Sequence, residues 1–333
     1  MSDYNPPFTI SSKIVSQVAT ISEALGRISV IEANKELKLR RINKIKTVHG
    51  SLAIEGNTLN EEQISAILDG KVVIAPLKEV QEVRNAIEVY DKFSSWNAFK
   101  ENDLLKAHGI LMKALIDDAG IYRKKGAGIM GKETIIHVAP GAEMVPNLMH
   151  NLFDWLKTTD THPLIASCVF HYEFEFIHPF SDGNGRMGRL WQSLILADYN
   201  KLFVNVPIES IVHAQQQEYY EALNASTSQG YCTPFIEFML DCVIEIITTP
   251  QVNPYVTPHV KKLLLALDGE CSINELLEKF DLKDRKSFRE VYLKVAIEQN
   301  LVAMTIPEKP RSRYQKYKLT EHGLIIKESL NCL

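Results

Sequence analysis

Residues 178–190 read HPFSDGNGRMGRL, and this stretch restricts the fold more than any other. Upstream, residues 164, 165, 168, 169, 172 and 176 are apolar or aromatic at helical spacing. Pro179 biases His178 away from the α region, so that helix has to stop there and present the imidazole at its end. Gly183-Asn184-Gly185 then turns the chain into a second helix over 185–199. Free N–H groups and the positive end of a helix dipole at that turn make an anion site. Arg186 and Arg189, three apart, share one helical face and can both point at phosphate oxygens. Asp182 is placed to hold Mg2+, which binds through one or two carboxylates plus substrate phosphates. His178, whose ordinary pKa is near ~6.5, is placed as a general base.

Other readings of the same stretch fit less well. Glycines 183, 185 and 188 spell GxGxxG, but a dinucleotide loop needs a strand before the glycines, and here a helix precedes them. His171, Glu175 and His178 line one helical face, with Glu175-x-x-His178 spaced like half of a di-iron site. Such bundles need that pair twice. An EF-hand fails because Trp191 stands where the bidentate Glu belongs. The bland alternative is a capped helix with surface arginines and a core histidine. It suits any one of these residues better than all of them together.

The rest of the chain reads as mainly helical. Residues 60–68, 79–93, 102–117, 146–157, 163–177, 185–199 and 215–225 mix apolar and polar residues at helical spacing. IYRKKGAGIMGKETIIHVAP (121–140), with its glycines and β-branched runs, predicts a hairpin. TTPQVNPYVTP (248–258) has the prolines of a linker, and beyond it three helices and two strand-like runs describe a winged helix-turn-helix. With 333 residues and a net charge of −4, the whole molecule is not a nonspecific nucleic-acid binder. Residues 256–333 nevertheless hold 14 Lys and Arg against 11 Asp and Glu. The five cysteines are scattered without a CxxC pair, which argues against a disulfide framework or zinc site. With no secretory signal and no run near the ~20 apolar residues of a membrane span, a reduced cytoplasmic protein is expected, with no membrane partner.

HPFSDGNGRMGR matches in full the motif HPFx(D/E)GNGRxxR, and on these residues the chain resembles the Fic family. The resemblance implies a protein adenylyltransferase with ATP as substrate and Mg2+ as metal, moving AMP to a hydroxyl of a target protein. By position, His178 is the base and Asp182 the metal ligand. Asn184 and the backbone of Gly183, Asn184 and Gly185 form the anion hole, Arg186 and Arg189 hold phosphates, and Met187 and Gly188 fall within the same stretch. Phe180 anchors the loop. Gly185 stands where related Doc kinases carry Lys, which favours nucleotidyl transfer. GIYRKKGAGIMG (120–131) resembles the family's flap, which docks the target backbone by strand addition, here at Gly128, Ile129, Met130 and Gly131. QEYYEAL (217–223) resembles the segment bordering the adenine, which makes Tyr219 and Tyr220 nucleotide contacts.

Upstream, TVHGSLAIEGNTL (47–59) ends a basic helix beginning near Lys35, with Gly56 as its C-cap and Thr58 with Glu61 as the capping box of the next. Ser51-x-x-x-Glu55-Gly56 matches the family's inhibitory motif (S/T)xxxE(G/N), set N-terminal to the core as in class II members. A carboxylate reaching Arg189 would occupy the guanidinium that holds the γ-phosphate. Relatives with this glutamate in some cases also remove AMP. The resulting boundaries are 1–59 for the inhibitory region, 60–247 for the Fic core with its flap, 248–258 for the linker and 259–333 for the winged domain.

Arg285, Lys286, Arg289 and Lys294 on the third helix, with Lys309, Arg311, Arg313, Lys316 and Lys318 on the wing, form a candidate DNA footprint. The competing function is a DNA-binding regulator with the core as nucleotide sensor. Transfer of another phosphate-containing group is the intermediate one. Partners left open are an unidentified target protein, the chain itself as target, a second copy in a homodimer, and DNA.

Overall fold

The computed structural model describes residues 4–29, 37–130, 135–248, 258–280, 282, 284–298, 301–310, 312, 314–320, 323, 324 and 327. The chain divides into two compact units, Met1–Ile247 and Thr248–Leu333. Residues 249–257 of the expected linker, and Lys35 of the basic helix, lie outside the described residues. No described helix is long and apolar enough to cross a membrane.

The first unit is built from helices α1 (Ser12–Ser29), α2 (Leu37–Ile54), α3 (Glu61–Leu68), α4 (Leu77–Asp91) and α5 (Glu101–Leu111). Strands β1 (Gly128–Met130) and β2 (Ile135–Val138) follow. Then come α6 (Val145–Thr158), α7 (Pro163–Ile177), α8 (Asn184–Tyr199), α9 (Ile208–Ala214), α10 (Gln216–Gln229) and α11 (Thr233–Thr248). α7 is the centre. Its residues from Leu164 to Glu175 are all buried, so the expected stripe is a helix enclosed on every side. Phe153 of α6 meets Phe170 of α7 and Trp191 of α8 edge-on, with ring centroids 5.3 and 6.5 Å apart. α2 lies against α9 so closely that a Cβ on Gly50 would come within 2.6 Å of the Glu209 carbonyl oxygen.

Two local expectations are corrected. The helix predicted over 102–117 ends at Leu111, because Asn85 Nδ2 takes the carbonyls of Leu111 and Lys113 (3.0 and 2.8 Å) and Ala114 adopts φ 58°. The capping box of α3 is made by Asn60 and Gln63 rather than Thr58 and Glu61. Thr58 is drawn to α4 instead, where its N–H and hydroxyl both donate to Glu79 at 2.7 Å. β1 and β2 pair antiparallel, Gly128 opposite Val138, with an irregularity between Ile129 and Met130. Gly131 lies outside the described residues.

The second unit has α12 (Pro258–Ala266), α13 (Ile273–Lys279) and a third helix that is α over Arg285–Phe288, widens to π over Arg289–Lys294 and returns to α over Val295–Glu298. Its two expected strands, β4 (Val302–Met304) and β5 (Lys316–Leu319), are joined by a short β3 (Cys271–Ser272) in the order β3-β5-β4. Leu263, Leu267, Leu276, Phe288, Leu293 and Tyr317 form its core.

Candidate active site

The junction of α7 and α8 carries the motif. α7 stops at Ile177, and His178 closes it in the left-handed region (φ 51°, ψ 60°), its N–H donating to the Phe174 carbonyl at 2.9 Å. The helix end expected before Pro179 is present, but through a left-handed cap rather than extended backbone. That conformation costs a non-glycine residue roughly 1–2 kcal/mol and has to be supported. Below it the Phe180 ring is fully buried and stacks on His108 with centroids 3.6 Å apart. His108 Nδ1 accepts from the Gly120 N–H (2.8 Å), which leaves the proton on Nε2 to donate to the Asp182 carbonyl at 3.0 Å. Burial holds His108 down to about 4, so it stays neutral.

Asn184 braces the loop. Its Oδ1 accepts from the Phe180 N–H and its Nδ2 donates to the Phe180 carbonyl, both at 2.9 Å. In this structure the Asn184 amide is thus engaged by the loop backbone. Gly183, in the left-handed region at φ 83°, is the N-cap of α8, and its own N–H goes to Asp182 Oδ1 at 2.6 Å. The N–H groups of Asn184, Gly185 and Arg186, in the first turn, are what an anion can use.

A carboxylate already stands at that helix end. Glu55 Oε1 lies over Gly185, where a Cβ would run into it, and accepts from Arg189 Nη2 at 2.7 Å. Arg189 Nη2 also donates to the Ser51 carbonyl at 3.0 Å, so Ser51 in the last turn of α2 and Glu55 just after its end grip one guanidinium. Gly56, at φ 88°, turns the chain immediately afterwards. Burial works against the charge of Arg189, but Glu55, Tyr219 and Glu175 together more than offset it and hold the guanidinium above its ordinary range. Arg186 is buried between Asp182 Oδ1 (3.0 Å) and Glu82 Oε1 (3.6 Å). The Nε atoms of Arg186 and Arg189 are buried without a hydrogen-bond partner among the described residues. That is the condition of a site with acceptors still to be added.

Behind the arginines lies a buried polar layer. His171 Nδ1 meets Gln192 Oε1 at 2.6 Å, and the Tyr219 hydroxyl meets His171 Nε2 at 3.1 Å. Glu175 Oε1, 3.8 Å from that nitrogen, has no hydrogen-bond partner among the described residues. Burial pushes Glu175 up to about 8, the Arg189 charge opposing and Glu55 adding to the shift. No group of three His, Cys, Asp or Glu able to hold a metal exists among the described residues.

Several sequence-predicted residues sit elsewhere than expected. Tyr219 is 2% exposed, with its hydroxyl turned to His171. Tyr220 is 41% exposed, with its hydroxyl 3.5 Å from the Ile54 carbonyl beside the end of α2. The Met187 side chain is in the core, and Gly188 faces His171 and Glu175 rather than the anion site. Gly128, Ile129 and Met130 form β1. Sequence reading missed three residues: Glu82, His108 and Arg123. A lone glutamate, a lone histidine on an apolar helix and an arginine among lysines give no motif signal.

The chain matches the family model described as Fic/DOC family over residues 98–196. It also matches that of the filamentation induced by cAMP protein Fic-like C-terminal domain over residues 258–320. A crystal structure of a Fic family protein from Desulfovibrio desulfuricans G20 is similar at 47% identity and TM-score 0.73, covering 96% of this chain and 99% of that one. A protein named protein adenylyltransferase Fic from Nematostella vectensis is 30% identical over 71% of this chain and 53% of its own length. One of the same name from Aedes aegypti is 28% identical over 64% of this chain and 43% of its own. The chain thus spans about half the length of the curated relatives it matches.

Proposed function

From the premise that this chain belongs to the Fic family, we propose that its first unit is a protein adenylyltransferase moving AMP from ATP to a Ser, Thr or Tyr hydroxyl of a target protein. One observation carries the reading. The Glu55 carboxylate stands over Gly185 at the α8 N-terminus and pairs with Arg189, on a helix whose two buried arginines, Arg186 and Arg189, have Nε atoms without a hydrogen-bond partner among the described residues. Helix dipole, free N–H groups and guanidinium forks suit a polyphosphate. Relatives named protein adenylyltransferase Fic support AMP as the group transferred.

In the reaction, the target oxygen bonds to the α-phosphorus of ATP as pyrophosphate leaves, and His178 takes the hydroxyl proton. Arg186, Arg189 and the first-turn N–H groups of α8 hold the phosphate oxygens in line. Asp182 fits Mg2+. Its carboxylate is 48% exposed, only Oδ1 is engaged among the described residues, and Mg2+ characteristically takes one or two carboxylates with substrate phosphates. That ion, when bound, supplies charge neutralisation to the phosphates. Glu55 opposes all of this while it holds Arg189, because its charge occupies the guanidinium and repels an incoming phosphate. The cytoplasm fits a chain whose four described cysteines are free and buried.

Labelled ATP and a cell lysate check the proposal. Glu55→Gly should raise AMP transfer by about tenfold or more, since a desolvated Arg–carboxylate pair is worth more than the ~1 kcal/mol of an exposed one. Adding His178→Ala should lower it by about 100-fold to 10,000-fold, the range for a lost general base. Equal labelling by the wild type and the Glu55→Gly protein would refute autoinhibition. No labelling by either would refute the activity.

A further inference from the structure

We propose that Arg123 is the positioning residue that sets His178 and both stems of the β1–β2 hairpin in one register, an assignment that rests on the adenylyl-transfer reading above. Arg123 lies in the turn ahead of β1, yet it is only 4% exposed. Its Nε donates to the His178 carbonyl at 2.7 Å. Nη1 donates to Lys125 at 2.8 Å, and Nη2 donates to Pro140 at 2.6 Å and Ile177 at 3.2 Å, always to the carbonyl. Its own N–H goes to the Pro179 carbonyl at 2.9 Å.

Three pieces of chain converge on this one side chain. Ile177 and His178 end α7, where the last carbonyls of a helix lack internal partners and the dipole favours a cation. Lys125 precedes β1 and Pro140 follows β2, so the guanidinium touches the hairpin on both sides of its base. Ala139 also donates to the Ala127 carbonyl at 3.1 Å, which carries the strand pairing down to that level. A planar fork of fixed donors can hold these carbonyls at once. A lysine, a single flexible point of charge, cannot.

The left-handed backbone of His178 is held by the same contacts. In-line transfer needs the acceptor hydroxyl within hydrogen-bond reach of the base and close to the phosphorus. If the hairpin docks the acceptor backbone, the distance from acceptor to base is set where Arg123 ties hairpin to histidine. Arg123 touches neither acceptor nor nucleotide and acts only through the residues it holds.

The experiment places Arg123→Lys and Arg123→Gln in the Glu55→Gly protein. ATP binding is measured by calorimetry, transfer with labelled ATP, and backbone protection by hydrogen exchange. Both variants should bind a single ATP per chain with unchanged affinity, because the phosphate-facing groups on α8 are intact. Transfer kcat should fall on the order of 100-fold with KM for ATP unchanged. The unchanged stoichiometry excludes a merely smaller folded fraction. Residues 125–127 and 177–178 should exchange faster while α8 does not. Parental transfer by Arg123→Lys, ATP stoichiometry falling in step with transfer, or unchanged exchange at 125–127 and 177–178 would each overturn the proposal. Absence of transfer in the Glu55→Gly parent refutes the functional reading instead. The exchange measurement then still decides whether Arg123 holds the hairpin.

Discussion

In the unit Met1–Ile247, Arg123, Arg186 and Arg189 are each at most 4% exposed and each is gripped by named acceptors, whereas Arg285, Lys286 and Arg289 of the second unit stand in solvent. Lys294 and Lys318 of that unit pair with Glu290 and Glu270, but all four side chains are about half exposed. Taking a cation out of water costs several kcal/mol unless hydrogen bonds and counter-charges replace the solvent. An exposed pair contributes about 0–1 kcal/mol and constrains little. Buried charge in this chain is therefore held in a fixed geometry, and exposed charge of the same sign is not.

The contrast is sharpened most by breaking the buried network one step away from the arginines. Asn57, 8% exposed and two residues beyond Glu55, donates from Nδ2 to Glu82 Oε2 at 2.8 Å and to the Glu79 carbonyl at 3.2 Å. Its Oδ1 accepts from the Leu59 N–H at 3.1 Å. Glu82 in turn faces Arg186, so the segment that follows Glu55 and Arg186 share one anchor. Asn57→Ala should loosen Glu55 from Arg189 and raise AMP transfer by about tenfold, the equivalent of one or two buried hydrogen bonds. In the Glu55→Gly protein the same change should add nothing. Assays of both backgrounds with labelled ATP check this, and an equal rise in each would mean that Asn57 acts apart from Glu55.

A smaller effect comes from Glu175, which is buried with Oε1 unpartnered among the described residues. Burial pushes its pKa from 4.5 up to about 8, while Arg189 pulls the other way. Between those values the folded protein holds a proton that the unfolded chain releases, so stability falls as pH rises from about 4.5 toward 8. Gln cannot titrate. The melting temperature of the wild type should therefore drop relative to Glu175→Gln between about pH 5 and pH 8, by on the order of 3 °C. His108 and His171, held down to about 4 and about 3 by burial, are present in both proteins. A pH-independent gap would show that Glu175 is already ionised in the fold.

How much of this was legible in the sequence follows the same division. The α7–loop–α8 junction was, because proline and glycine act through local backbone sterics and the arginine spacing is a helical one. The pairing of Ser51 and Glu55 with Arg189 was legible only through the resemblance, because nothing local to residues 47–59 says which partner a helix-end carboxylate finds. The bonding of the Asn184 amide to Phe180, four residues earlier, was not legible, because such a bond leaves no pattern. Tyr219 and Tyr220 look alike in sequence, and only packing against His171 separates the buried one from the exposed one. The early end of α5 depended on Asn85, 26 residues away from Leu111. Arg123 was hidden for the same reason, since all its partners are backbone carbonyls and carbonyls have no sequence.

The smallest effect belongs to the second unit, and it is the one that can break the comparison. Arg285, Lys286 and Arg289 lie where a recognition helix would need them, but that helix widens to π over Arg289–Lys294 and its basic residues are exposed. Replacing all three by Ala should leave AMP transfer within about twofold, the usual range for surface changes of roughly 0.5 kcal/mol. The same protein addresses DNA binding by mobility shift at ~50 and ~200 mM salt, where affinity resting on several phosphate contacts falls by orders of magnitude. A local excess this small supports only retardation that the higher salt removes. Retardation that persists at the higher salt and is lost in the triple variant would make exposed charge informative after all. It would move the second unit from support to nucleic-acid recognition, with the adenylyl-transfer site unaffected.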